Sequence, residues 1–280
     1  MKAFIIYLPE REHSVRHSAY MLATLESYGI DARLHEGTPG DKAVKLAAKE
    51  KKTLYPYSIK NRIIDDADLK RLIRPRVYKE FKERYHYDIV ERQLIGENHI
   101  GKFSRPGVVG CFYSHYALWK KCVDLNEPIM IFEDDVKFFR EWHPVDFEGV
   151  LILSLGKSSF LDDPYKTYLE NPTGTPRALQ WRNFSMPGAS GYAITPDAAL
   201  NLIKFYKPYW YPADNAINRL IVPMYVHNYI MGRNTLPKEG NISMTKSKDW
   251  SQAIGADIDE DDYKEFVITA STDPNIEVDQ

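Results

Sequence analysis

Three consecutive acids, Glu133-Asp134-Asp135, stand directly after the apolar run Ile129-Met130-Ile131-Phe132. Adjacent carboxylates repel, and each raises the pKa of the next. A divalent cation removes that conflict. In extended backbone Glu133 and Asp135 point to the same side, so both can reach one hard ion, Mg²⁺ or Mn²⁺, together with its bound phosphates. The competing reading is a solvated acidic turn. Ser114 and His115 have the composition of a nucleophile pair, but neighbours on a helix diverge by about 100°. His115 lies on an apolar stripe and is predicted to be a buried group that hydrogen-bonds and orients the acidic loop. His13 and His17 have the i, i+4 spacing of a metal pair. No third ligand follows in the right context, so they read as a polar helix face.

The elements that position the acids are legible in the same stretch. Val108, Cys111, Phe112, His115, Trp119, Cys122 and Val123 recur every three or four residues, the period of a helix. Asn126 and Pro128 end that helix. Residues 129–132 then suit a central parallel strand covered on both faces. The carboxyl end of such a strand is where open α/β sheets place their ligands. Upstream, Lys2–Leu8 reads as a strand ended by Pro9. Glu12–Tyr28 reads as a helix with Val15, Ala19, Leu22, Ala23 and Leu25 on its buried face, stopped by Gly29, and Asp31–His35 as a second strand. Strand-helix-strand is the opening of a nucleotide-binding α/β fold. Downstream, Val150–Leu155 is another buried strand. Gly188–Thr195 leads into a helix from Pro196 to Phe205, with Thr195 as N-cap and Pro196 as first residue. Val222–Asn228 is strand-like.

Pro106-Gly107, Gly110-Cys111, Ser114-His115, Trp119-Lys120 and Ile131-Phe132-Glu133-Asp134-Asp135 resemble the core signature of glycosyltransferase family 25. That pattern is G-x-x-G-C-x-x-S-H, an aromatic-Lys pair, then an apolar strand ending E-D-D. The resemblance implies a GT-A fold: a mostly parallel Rossmann-like sheet with helices on both faces. It also implies a nucleotide-sugar donor, UDP-linked, and Mn²⁺ or Mg²⁺ at Asp135 with Glu133 or Asp134. It places Arg11 in a donor-binding loop, where the family's Asn-Leu-Asp-Arg is here Tyr7-Leu8-Pro9-Glu10-Arg11. Lys157 would face a phosphate or the acceptor. Gly191 and Tyr192 belong to a G-x-x-G-Y motif facing donor sugar and acceptor. Pro212-Ala213-Asp214 matches P-(V/I)-D, making Asp214 the chosen base, with a helix cap as its plain alternative. His227, the only histidine after Asp214, is the candidate to complete the metal shell.

Composition bounds the rest. The chain has 280 residues, 44% hydrophobic and 27% charged, with net charge -2, as in an ordinary globular protein. It shows no apolar run long enough to cross a membrane and no signal-peptide pattern. Cys111 and Cys122 are about 16 Å apart along a helix, too far for a disulfide. Two free thiols fit a reducing cytoplasm. Residues 42–84 carry fourteen Lys/Arg against six Asp/Glu, with tyrosines interspersed. Residues 42–95 therefore read as a basic helical insert in a catalytic domain of residues 1–250. The competing reading of the insert is a solvated helical face. Residues 251–280 form an acidic tail, with nine acids and one lysine from Gly255 on. The insert suits an anionic acceptor, either a glycan such as a lipopolysaccharide core or nucleic acid.

The expected activity is metal-dependent transfer of a sugar to an acceptor hydroxyl, with inversion. The same chemistry on a modified nucleic-acid base is the alternative. A nucleotidyltransferase and an inactive sugar-binding protein are further alternatives. The first would carry a glycine-rich phosphate loop, which is not found; the second would have lost the acids.

Overall fold

The computed structural model describes residues 1–54, 106–155, 169, 172–181, 186, 188–219 and 221–234. The chain opens as predicted, with β1 (Lys2–Tyr7), α1 (Glu12–Ser27) and β2 (Asp31–Glu36). α2 (Gly40–Lys49) and a short β3 (Thr53–Leu54) follow. α3 (Pro106–Leu125) then leads into β4 (Ile129–Glu133), β5 (Val136–Phe138), β6 (Val150–Ile152) and β7 (Ser154–Leu155). The remainder is β8 (Ala178–Gln180), β9 (Gly191–Ile194), α4 (Pro196–Phe205), β10 (Tyr209–Trp210), α5 (Ala213–Ala216), β11 (Met224–His227) and β12 (Gly232–Asn234).

The main sheet has seven strands in the order β2-β1-β4-β9-β6-β11-β8. β1 pairs in parallel with β2 and β4, and β6 with β11. β9 runs antiparallel to both β4 and β6, and β8 antiparallel to β11. The sheet is therefore mixed, a correction to the mostly parallel expectation. A four-residue run buried on both faces gives no sign of strand direction in its sequence. A strand set between two covered neighbours is equally apolar whichever way it runs. The predicted strand 150–155 also divides. β6 stays in the main sheet, while β7 joins a second sheet in the order β5-β12-β7.

Helices cover both faces of the main sheet, as expected. The period of two along a strand decides which residue meets which layer. Phe4, Ile6, Ile129, Ile131, Tyr192 and Ile194 enter the core beneath α2, α3 and α4. Ala3, Ile5, Met130, Phe132 and Ala193 enter the core on the opposite face, beneath α1. α3 is buried around most of its circumference, since α2, α4 and α5 all pack on it. Its predicted stripe was only part of a helix that is apolar nearly all round. α3 ends at Leu125, and Asn126 adopts a left-handed φ of 50° that lets the chain turn toward β4. Thr195 caps α4 as predicted, its Oγ1 accepting from the Ala198 N–H at 3.4 Å.

The buried face of α1 is Ser14, Ser18, Met21 and Leu25, whereas Val15 is 41% exposed. The predicted face holds at Leu25 and in part at Leu22 but fails in the first half of the helix, where the buried positions are serines with local partners. The Ser18 hydroxyl donates to the Val15 carbonyl, and Ser14 Oγ accepts from the Leu8 N–H at 2.8 Å. A polar group hydrogen-bonded in this way is buried at little cost.

Of the basic segment 42–84, residues 42–54 lie within the described part. There α2 buries Ala43 and Ala47 against α3, and β3 pairs in parallel with β10. Lys52 is buried, donates to the Tyr206 and Lys207 carbonyls, and sits 4.5 Å over the Tyr116 ring. Desolvation pushes its pKa down to about 8. The positive charge here closes the carboxyl end of α4, where the helix dipole favours a cation. Residues 55–84, like the acidic tail 251–280, lie outside the described residues. Both cysteines are free thiols. Among the described residues no helix is long and apolar enough to cross a membrane.

Candidate active site

The register pairs Ile6 with Glu133 and Tyr7 with Glu36. The loops after β1, β2 and β4 therefore leave the sheet along one edge. The loop 8–11, with Arg11, and the turn at Asp134-Asp135 share that edge. The first half of α3 lies over it, because Cys111 and His115 reach Glu133 there. Cys122, three turns on, reaches the Ile194 carbonyl instead.

The end of β4 and the turn after it separate the three acids. Glu133 continues the series Ile129, Ile131 and faces α3. Asp134 faces α1, where Ser14 hydrogen-bonds its carboxylate and His17 Nδ1 bonds its backbone carbonyl. Burial pushes the Asp134 pKa up, and the Ser14 hydrogen bond opposes this. Asp135 lies in the turn before β5, near enough for its charge to act on the Cys111 thiol. Asp134 belongs to a separate anchor on α1.

A hydrogen-bond chain holds Glu133. Trp119 Nε1–H donates to the Tyr192 hydroxyl at 2.9 Å. That hydroxyl meets His115 Nδ1 at 2.8 Å, and His115 Nε2 meets Glu133 Oε1 at 3.2 Å. One polarity satisfies every member: Trp119 donates to Tyr192, Tyr192 to Nδ1, and Nε2–H to an ionised Glu133. Cys111 Sγ adds a further donor at 3.3 Å. Burial alone would raise the Glu133 pKa, but the hydrogen bonds from His115 and Cys111 hold it below the usual carboxylate range. The same burial, joined by the Glu133 charge, drives the Cys111 thiol well up, so it stays protonated.

Asp214 enters from the first turn of α5. Its Oδ1 accepts from the Asn215 N–H at 2.9 Å. Burial, and then the Glu133 charge, raise its pKa to about 6. Motifs far apart in sequence are thus brought within electrostatic reach. α5 is capped at Pro212 without a side-chain bond, so helix capping does not account for Asp214. Glu133, Asp135 and Asp214 all act on the Cys111 thiol, and their carboxylate oxygens are the donor type that a hard divalent ion such as Mg²⁺ or Mn²⁺ prefers.

Other predicted residues have different places. His227 Nε2 meets the His143 carbonyl at 2.8 Å, and its Nδ1 accepts from the Tyr229 N–H at 2.9 Å. Neither ring nitrogen keeps a lone pair for a metal, which corrects the expectation of a ligand. Tyr192 is fully buried, with its hydroxyl committed to His115 and Trp119, so it supports the acid rather than facing a donor. Gly191 is needed for packing. A Cβ there would lie 2.7 Å from Ser154 Cβ and 2.8 Å from Phe132 Cδ1. Ser114 donates to the Gly110 carbonyl and accepts from the Thr38 N–H, both at 2.8 Å, fastening the loop after β2 onto α3. Arg11 is half-buried, and its N–H closes a turn on the Leu8 carbonyl at 3.0 Å. Lys157 lies outside the described residues. His115 orients the acidic strand end as predicted. Ser14 and His17 were missed as supports of Asp134. The signal was present in the His13/His17 spacing, which places a polar patch where α1 passes the acidic turn.

The family model for glycosyltransferase family 25 (LPS biosynthesis protein) matches residues 51–217. That span includes α3, the acids and Asp214. A similar curated protein is the lipooligosaccharide biosynthesis protein lex-1 of Haemophilus influenzae (strain ATCC 51907 / DSM 11121 / KW20 / Rd). It is 36% identical over 146 residues, which cover 45% of this chain and 46% of that protein. The chain thus spans about half the length of the curated relative that it matches.

Proposed function

The chain belongs to glycosyltransferase family 25, and on that premise we propose that it moves a sugar from a nucleotide-sugar donor to an acceptor hydroxyl, with inversion, on a GT-A fold. The observation that carries this reading is the position of Asp214. It is a carboxyl whose pKa is raised to about 6 by its burial and by the charge of Glu133 at the end of β4.

Asp135 and Glu133 would hold Mn²⁺ or Mg²⁺. When bound, the ion neutralises the charge that develops on the leaving nucleoside diphosphate. Asp214 accepts the proton of the acceptor hydroxyl as the oxygen attacks the anomeric carbon. A base with pKa about 6 is ionised at neutral pH and close enough to it to be effective. One base and one displacement give inversion. His115 keeps Glu133 ionised, so the charge that raises Asp214 persists. Arg11, on the loop at the same edge, is assigned to the donor phosphates, as is Lys157. A UDP-sugar is the proposed donor. The name of the lipooligosaccharide biosynthesis relative supports a glycan acceptor of that class. Residues 42–84 are proposed to attract its anionic groups.

A mass-spectrometric screen of nucleotide sugars tests the proposal. It predicts that one donor releases its nucleoside diphosphate in the presence of Mn²⁺ and not in EDTA. Failure of every donor, with and without a lipooligosaccharide acceptor, would overturn it.

A further inference from the structure

Cys111, His115 and Glu133 present one sulfur, one nitrogen and one oxygen atom, all within 4.8 Å of one another. Cys111 and His115 are one turn apart on α3 and so share a face. Glu133 closes the triangle from the end of β4. This donor set is unlike that of the three carboxylates. Thiolate and imidazole suit a borderline-soft ion, whereas Mg²⁺ and Mn²⁺ prefer oxygen.

We propose that these three side chains form a Zn²⁺ site. The spacing agrees with the tetrahedral requirement. Zinc bonds of about 2.0–2.1 Å to nitrogen and oxygen and about 2.3 Å to sulfur place N and O about 3.3 Å apart, and S and O about 3.6 Å apart. The structure has Nε2 to Oε1 at 3.2 Å and Sγ to Oε1 at 3.3 Å. Two edges of the triangle thus match before any ion arrives, and the third, from sulfur to imidazole, lies within 4.8 Å. One proton leaves, from the Cys111 thiol to solvent; the imidazole proton moves from Nε2 to Nδ1, and the Tyr192 hydroxyl turns from donor to acceptor toward Nδ1. With Nε2 on the metal, Nδ1–H donates to the Tyr192 hydroxyl at the existing 2.8 Å contact. A ligating histidine ordinarily has such an outer partner.

Zinc at this site takes Glu133 away from the hard ion. The resulting inhibition rests on the proposed transfer reaction; the binding itself does not. The probe is Co²⁺ titrated into the full chain and read by the sulfur-to-cobalt charge-transfer band, followed by displacement with Zn²⁺. The expected result is a band that saturates at about one equivalent, is bleached by Zn²⁺ and withstands excess Mg²⁺. It persists in Cys122→Ser, disappears in Cys111→Ser, and needs roughly 10–100-fold more cobalt in Tyr192→Phe. No band in the wild type, or a band unchanged in Cys111→Ser, would overturn the site. Either of these leaves the transfer reading standing, whereas a silent donor screen would remove that reading and leave the zinc site.

Discussion

The Tyr192 hydroxyl meets Nδ1 of His115 at 2.8 Å across 77 residues of sequence. That contact joins the G-x-x-G-Y motif of β9 to the S-H motif of α3, and through His115 to Glu133. Two motifs separate in the chain are halves of one hydrogen-bonded support.

Tyr192→Phe removes one oxygen and leaves Trp119 Nε1–H and His115 Nδ1 buried without their partner. An orphaned buried donor costs about 1–3 kcal/mol. Urea denaturation should show a loss of that size. Sugar transfer should fall as well, with KM for the donor little changed, because Tyr192 orients the acid through His115.

Gly191→Ala separates packing from ligand approach. The added methyl would press on Ser154 Cβ at 2.7 Å and on Phe132 at 2.8 Å. Overpacking of this kind costs about 1–3 kcal/mol. The thermal midpoint should drop. Unchanged stability with a raised donor KM would mean that this glycine faces the donor after all.

Asp214→Asn should lower transfer by about 10²–10⁴-fold, the usual contribution of a general base. In the wild type the rate should fall as pH drops below about 6, where Asp214 becomes protonated. Stability moves the other way. Because the folded pKa lies above the ordinary value, the stability it contributes is present at low pH and is lost as pH rises through about 6. At pH 7 the wild type therefore holds an unfavourable buried charge, and Asp214→Asn should melt at a higher temperature. A kinetic acid limb that survives in Asp214→Asn would assign the base elsewhere.

Much of this site could be read in the sequence because its signals are local. The α3 period, the apolar run of β4 and the Thr195-Pro196 helix start each depend on neighbouring residues alone. The role of His115 followed from its place on an apolar stripe. Strand direction was not legible, since β9 is short and buried on both faces. His227 was misjudged because residue type says nothing about whether its nitrogens are already taken by His143 and Tyr229. The family resemblance places Tyr192 toward a ligand, yet its hydroxyl is taken by His115 and Trp119, and Gly191 before it makes room for Phe132 and Ser154. The true face of α1 was hidden because Ser14 and Ser18 are polar by type and satisfied only in the fold.

The proposed sugar transfer depends on a divalent ion held by Glu133 and Asp135. Donor consumption by wild type and by Asp135→Asn, each measured with Mn²⁺ and with EDTA, separates this from metal-free chemistry, provided circular dichroism shows both proteins folded. Turnover is expected in the wild type only with the metal, and none in Asp135→Asn under either condition. Full turnover in Asp135→Asn with Mn²⁺, or turnover in the wild type that EDTA does not touch, would contradict it.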